Sequence, residues 1–199
     1  MRVITINLFT FDELTEEGQT RAIENERTRR EKAGESRPWE SEDNKSIEKI
    51  AGILGAEPFY HYDFNGFTTG KIEDEILGLK GNRALAYIYN HFYPTKSKFI
   101  WKGNKSRQSK CTRVFDGDYY MDYSLADAVE NFKGEIKAGR HPTIENYIEM
   151  VGDRIREQIK ADEDFWDSDE GIKEDIMANY DKPVFLTNGD IFAHDVTSM

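Results

Sequence analysis

The polar and apolar positions along the chain alternate between two periods. Val3 to Leu8 alternates residue by residue, which predicts a strand. Thr10-Phe11-Asp12-Glu13 has the form of a capping box, and Thr15 offers a second N-cap. A helix is predicted from there to about Lys32, thin in apolar residues (Leu14, Ala22, Ile23). Ile47, Ile50, Ala51 and Leu54 recur at helical spacing and predict a helix over 46–54, with Gly55 as C-cap. Phe59, Tyr60, Tyr62 and Phe64 predict one strand over 58–64, followed by a short extended piece at 67–69. The run 72–79 fits either period. Leu85, Ile88, Tyr89 and Phe92 predict a helix over 84–92.

Farther on, 99–101 and 112–115 read as strands around a basic loop, 102–110. Ser124 caps a helix carrying Leu125, Ala128, Val129 and Phe132. Thr143 caps a longer one, whose Ile144, Tyr147, Ile148, Val151, Ile155 and Ile159 form the clearest 3.6-residue stripe of the chain. Ser168 caps the last, with Ile172 and Ile176 on its face. Asn188-Gly189 between two apolar runs predicts a C-terminal β-hairpin. Strands and helices do not alternate strictly, so the expected class is α+β: several helices packed on a small, mostly antiparallel sheet. The expected organisation is a single domain over 1–199 with a basic projecting loop at about 94–114. The long stripe after Thr143 suits either a core helix or a homodimer contact.

Charge changes this picture most. The 199 residues include 38 acidic and 27 basic ones, a net of −11. From His91 to Val114 there is no acid but seven bases: Lys96, Lys98, Lys102, Lys105, Arg107, Lys110 and Arg113. From Met150 to Met199 there are 13 acids against 5 bases, and six of the nine residues 162–170 are acidic. A chain this acidic repels nucleic acid and attracts basic surfaces, which nucleic-acid-binding proteins commonly own. Asp153, Glu157, Asp162, Glu163, Asp164, Asp167, Asp169 and Glu170 are therefore the candidate partner-binding residues. Carboxylates a helical turn apart are spaced by about 5–6 Å, similar to backbone phosphates. The alternative site is the basic, aromatic-bearing segment: Lys96, Lys98, Trp101, Lys102, Lys105, Arg107, Lys110 and Arg113. Aromatic faces stack bases and cations follow phosphates, a mixture suited to single-stranded nucleic acid.

Candidate chemistry is sparse. Cys111 is the single cysteine, so neither an internal disulfide nor a thiolate zinc cluster is expected. His61, His91, His141 and His194 are scattered, without metal-ligand spacing. There is no phosphate loop, dinucleotide fingerprint or nucleophile elbow, and the aspartate-rich pieces lack the spacing of a calcium loop. No enzyme activity, cofactor or metal is expected. No apolar run approaches the length of a membrane span, and Met1 leads directly into the first strand pattern without a signal peptide. The expected setting is cytoplasmic.

Three stretches carry a resemblance: Asn7-Leu8-Phe9-Thr10-Phe11-Asp12-Glu13-Leu14-Thr15 with Ala22 and Arg27; Asp118-Tyr119-Tyr120-Met121-Asp122-Tyr123-Ser124-Leu125; and Ser168-Asp169-Glu170 running through Asn179 to Phe185-Leu186-Thr187-Asn188-Gly189. In this order the chain resembles small acidic proteins of bacteriophages and prophages, mostly without assigned function. It departs from them at Asn188-Gly189, where Asp-Gly is expected, and around 64–70, where a polar stretch common in the group is missing. The resemblance implies a bacterial host cytoplasm and an anti-defence role: an acidic binding protein that inhibits a CRISPR–Cas effector or restriction component by occupying its basic nucleic-acid channel. It brings no catalytic residues. The alternative expectation is a phage accessory protein that binds RNA or DNA through 91–113.

Overall fold

The computed structural model describes residues 6–35, 40–61, 63–92, 98–99, 107–108, 123–180, 182 and 184–192, with backbone alone at 98–99, 107–108 and 123. Its packing falls into two compact units. A terminal unit combines 1–37 with 161–199, and a middle unit spans 38–160.

In the terminal unit, a 3-10 turn at Phe11–Glu13 is followed by α1, Glu16–Ala33. The Glu13 carboxylate accepts from the Thr10 N–H at 2.8 Å. Thr15 then caps α1, its Oγ1 accepting from the Gly18 N–H at 3.2 Å. The α6 helix, Ile144–Trp166, contributes its last six residues to this unit. Ser168 caps α7, Asp169–Asn179, accepting from the Gly171 N–H at 3.0 Å. Phe11, Leu14, Ala22, Ile172, Ile176 and Phe185 form its small core, with Phe11 and Phe185 edge to face at 6.2 Å. The expected N-terminal strand lies partly outside the described residues, and its described part, 6–8, is not a strand. Phe9 makes a single antiparallel bridge to Phe185, which also bridges Ile191. The described residues thus carry isolated bridges where the sequence predicts a C-terminal strand pair.

The middle unit holds α2 (Glu40–Leu54), β1 (Glu57–Tyr60), β2 (Phe64–Thr68), α3 (Asp74–Leu77), α4 (Gly81–His91), β3 (Lys98–Phe99), β4 (Arg107–Gln108), α5 (Tyr123–Lys137) and the first part of α6. The single strand expected over 58–64 belongs to two strands, because β1 pairs antiparallel with β2. Gly66 sits opposite Phe59 at φ +141, a conformation that only glycine takes cheaply. The partner of β3 is β4, with Lys98 opposite Gln108 and Phe99 opposite Arg107. The second strand of that pair therefore falls inside the expected loop rather than at 112–115, which lies outside the described residues. Among the described residues the sheet component is two separate two-stranded ladders. The class is α+β; among the described residues it is dominated by seven helices, and these are not laid on one sheet. The core joins α2, α4, α5 and α6 through Ile47, Ile50, Leu54, Ile88, Phe132 and Ile148. Tyr147 is fully buried within it and donates its hydroxyl to the Leu125 carbonyl at 3.1 Å.

Candidate functional site

Folding redistributes the charge. The terminal unit has 19 acidic and 9 basic residues, a net of −10, whereas the middle unit has 19 and 18, a net of −1. Nearly all the excess negative charge of the chain is thus gathered into the unit made from its two ends. Tertiary packing sets α1, with Glu16, Glu17, Glu24, Glu26 and Glu31, against α7.

The charges inside this unit are not interchangeable. The residues that α1 buries most, Gly18, Ala22, Glu26 and Arg30, stand four apart on one stripe. Glu26 is 4% exposed and Arg30 is 6% exposed. Arg30 donates from Nε to Glu26 at 3.3 Å, from Nη1 to the Trp166 carbonyl at 3.0 Å and from Nη2 to Asp175 at 2.6 Å. Its guanidinium lies 3.5 Å from the centre of the Trp166 ring. Arg29 holds Glu26 in a two-pronged pair at 2.7 and 2.9 Å and reaches Glu35 at 2.5 and 2.9 Å. The hydrogen bonds from Glu26 and then Glu35 raise the Arg29 pKa far above its ordinary value, and the Arg29 bond lowers that of Glu35. Burial, and then the Glu26 charge, push the neighbouring Tyr180 phenol up. A buried guanidinium needs hydrogen-bonded partners, and here each of its three nitrogens has one.

Two more arginines are engaged at the surface. Arg21 pairs with Asp190 at 3.1 Å, and Arg27 with Asp169 at 2.6 Å. The four arginines described in this unit are therefore all committed to carboxylates. The acids outnumber them. Among the described residues, the exposed carboxylates of Glu16, Glu17, Glu24, Glu31, Asp164 and Glu170 make no ion pair.

The eight candidate acids divide between the units. Asp162, Glu163, Asp164, Asp167, Asp169 and Glu170 belong to the terminal unit, where Asp162 is half-buried and the rest are exposed. Asp153 and Glu157 belong to the middle unit, and each serves a local helical pair, to Arg156 and Arg154 respectively. Sequence reasoning missed the contribution of α1, whose signal was its polar composition and its thin apolar stripe. Of the alternative site, Lys98 and Arg107 stand in the β3–β4 ladder, while Lys96, Trp101, Lys102, Lys105, Lys110 and Arg113 lie outside the described residues, as does Cys111.

Among the described residues no cluster of His, Cys, Asp or Glu is arranged to hold a metal ion, and no helix is long and apolar enough to cross a membrane. Comparison with protein-family models, with curated proteins and with solved structures gives no match.

Proposed function

We propose that the terminal unit is a docking module that binds a basic protein surface, and that this surface is the nucleic-acid channel of a host defence enzyme. A CRISPR–Cas effector is the leading candidate, with a restriction component next, in line with the phage-like resemblance. The observation that carries this reading is the net −10 of the terminal unit together with the full commitment of its described arginines. An unpaired excess of carboxylates raises the encounter rate with a basic partner and makes binding weaken as salt rises. The protein acts by occupancy and performs no reaction of its own.

The test is capture of host proteins by tagged full-length protein, with and without nuclease, followed by a cleavage assay on the captured enzyme. The expected result is one stoichiometric nucleic-acid-dependent enzyme that survives nuclease and is inhibited by the wild-type chain. A variant combining Asp164→Asn, Asp167→Asn, Glu170→Gln and Glu17→Gln is expected to inhibit at least about tenfold less well, since each uncompensated interface charge contributes to steering and to selection of the partner. Equal inhibition by this variant would overturn the reading. Partners that vanish with nuclease would favour the second reading, nucleic-acid binding through 91–113. That reading is supported by the β3–β4 pairing, which sets Lys98 opposite Gln108 and Phe99 opposite Arg107 and so brings one base from each side of the segment into a single ladder.

A further inference from the structure

Asn188-Gly189 stands in a turn over 186–190. The Leu186 N–H bonds the Asp190 carbonyl at 2.8 Å, and the Gly189 N–H bonds the Leu186 carbonyl at 2.9 Å. The turn is seated on α1. Gly189 is buried at φ +84, and a Cβ on it would collide with the Gly18 carbonyl oxygen. The seat therefore requires glycine at 189. Asn188 is exposed, and Asp190 holds both ends of its amide. Nδ2 donates to the Asp190 carboxylate at 2.8 Å, and Oδ1 accepts from the Asp190 N–H at 3.2 Å. Asp190 is itself tied to α1 by Arg21 at 3.1 Å and Asn25 at 3.0 Å.

This dipeptide carries a reaction of its own. A backbone nitrogen can attack the amide of the asparagine before it, and glycine favours this because it has no side chain to shield the nitrogen or hinder ring closure. The Gly189 nitrogen would lose its proton to solvent and bond to Asn188 Cγ. The Cγ–Nδ2 bond breaks, and Nδ2 takes up a proton and leaves as ammonia. Water then opens the five-membered succinimide at one of its two carbonyls, leaving aspartate or isoaspartate. The folded turn opposes the first step, because the Gly189 N–H is engaged by Leu186 and the Asn188 amide is fixed by Asp190. We propose that Asn188 is a deamidation site kept latent by the Asp190 clamp, and that its modification releases the turn 186–190 from α1.

Release follows from the products. Aspartate at 188 replaces a donor with a second carboxylate facing Asp190, and like charges at that range repel. The bonds from Asn188 and then Asn25 hold the Asp190 carboxyl below its ordinary value, so it stays charged as the new carboxylate forms. Isoaspartate lengthens the backbone by one carbon immediately before Gly189, where the close approach to Gly18 leaves no slack.

The experiment incubates the full chain and a peptide of residues 182–192 at mildly alkaline pH. Proteolysis and mass spectrometry then read the mass gain of amide turned to acid, and the isoaspartate content, at Asn188. The folded wild type is expected to deamidate at least about tenfold more slowly than the peptide, because reaction waits for local opening. Folded Asp190→Ala is expected to react at least about threefold faster than wild type. Amide hydrogen exchange reads the consequence. Exchange at Gly189 is expected to rise at least about tenfold in Asn188→Asp, and less in Asn188→Ala, which loses the donor without adding a charge.

A peptide that keeps its amide would overturn the site. Equal rates in peptide and folded wild type would overturn the protection, a comparison that needs no variant to fold. Asp190→Ala reacting no faster than wild type would overturn the role of the clamp. Wild-type exchange at Gly189 in Asn188→Asp would overturn the release.

Discussion

Replacing Arg30 with methionine tests whether the buried ion network, rather than the small apolar core, fixes α1 within the terminal unit. Methionine keeps much of the volume over Trp166 but removes three donor contacts. The consequences differ at each partner. Glu26 keeps its two-pronged bond to Arg29, so it is not orphaned. Asp175 keeps the Asn179 amide at 2.8 Å, and its side chain is 21% exposed, so water meets part of its need. The Trp166 carbonyl loses the donor that Arg30 supplies. Breaking a fully buried pair costs about 3–5 kcal/mol, and an unmet buried carbonyl about 1–3 kcal/mol. With Glu26 and Asp175 partly compensated, the expected cost is about 2–4 kcal/mol. Arg30→Lys keeps the charge but not the fork and is expected to cost about half as much.

The assay is urea unfolding followed by tryptophan fluorescence and by far-ultraviolet circular dichroism. Two probes are needed because the two units need not unfold together. A midpoint for Arg30→Met within about 0.5 kcal/mol of wild type, the scatter of ordinary surface substitutions, would refute the reasoning. It would show that the packing of Phe11, Phe185, Ile172 and Ile176 suffices to hold α1.

Gly189→Ala is expected to destabilise the terminal unit by more than about 2 kcal/mol, because a backbone held in the left-handed region tolerates a side chain poorly and the clash adds to that cost. Gly189 sits at φ +84, and a Cβ there would stand 2.1 Å from the Gly18 carbonyl oxygen of α1. An unchanged unfolding midpoint would refute this close approach. Acidification supplies another test. Hydrogen bonds from Thr10, Arg29, Arg140 and Asn188 hold the Glu13, Glu35, Glu135 and Asp190 carboxyls below their ordinary values. A folded-state pKa lower than the unfolded one gives stability that is present above the unfolded value and lost as pH falls through the folded one. The melting temperature, followed by calorimetry, is therefore expected to be flat from about pH 5 to 8 and to drop below about pH 4. A melting temperature unchanged between pH 5 and 3 would contradict it.

The starts of α1, α6 and α7 were legible in the sequence because capping is local chemistry, whereas α2, expected from 46, begins at Glu40 and Ser124, expected as a cap, stands inside α5. Thr15, Thr143 and Ser168 each accept the backbone N–H three residues on, through their own side-chain oxygen. The stripe from Ile144 to Ile155 was legible because burial on a helix repeats every three or four residues, and it is buried as that period requires. The division of the run 58–64 was not legible. Its aromatic alternation is unbroken in the sequence, and only the pairing of Glu57 with Thr68 and Phe59 with Gly66 divides it into two strands. By itself, then, the sequence determined the caps, the main core stripe and the total charge, all of which depend on composition or on residues a few positions apart. Where the charge gathers depended on the tertiary structure. Arg30 looks like one more solvated residue on a polar helix until Trp166 and Asp175, more than 130 positions away, close over it. The −10 of the terminal unit likewise exists only because the two ends of the chain pack into one body, and contacts between such distant residues leave no period in the sequence to read.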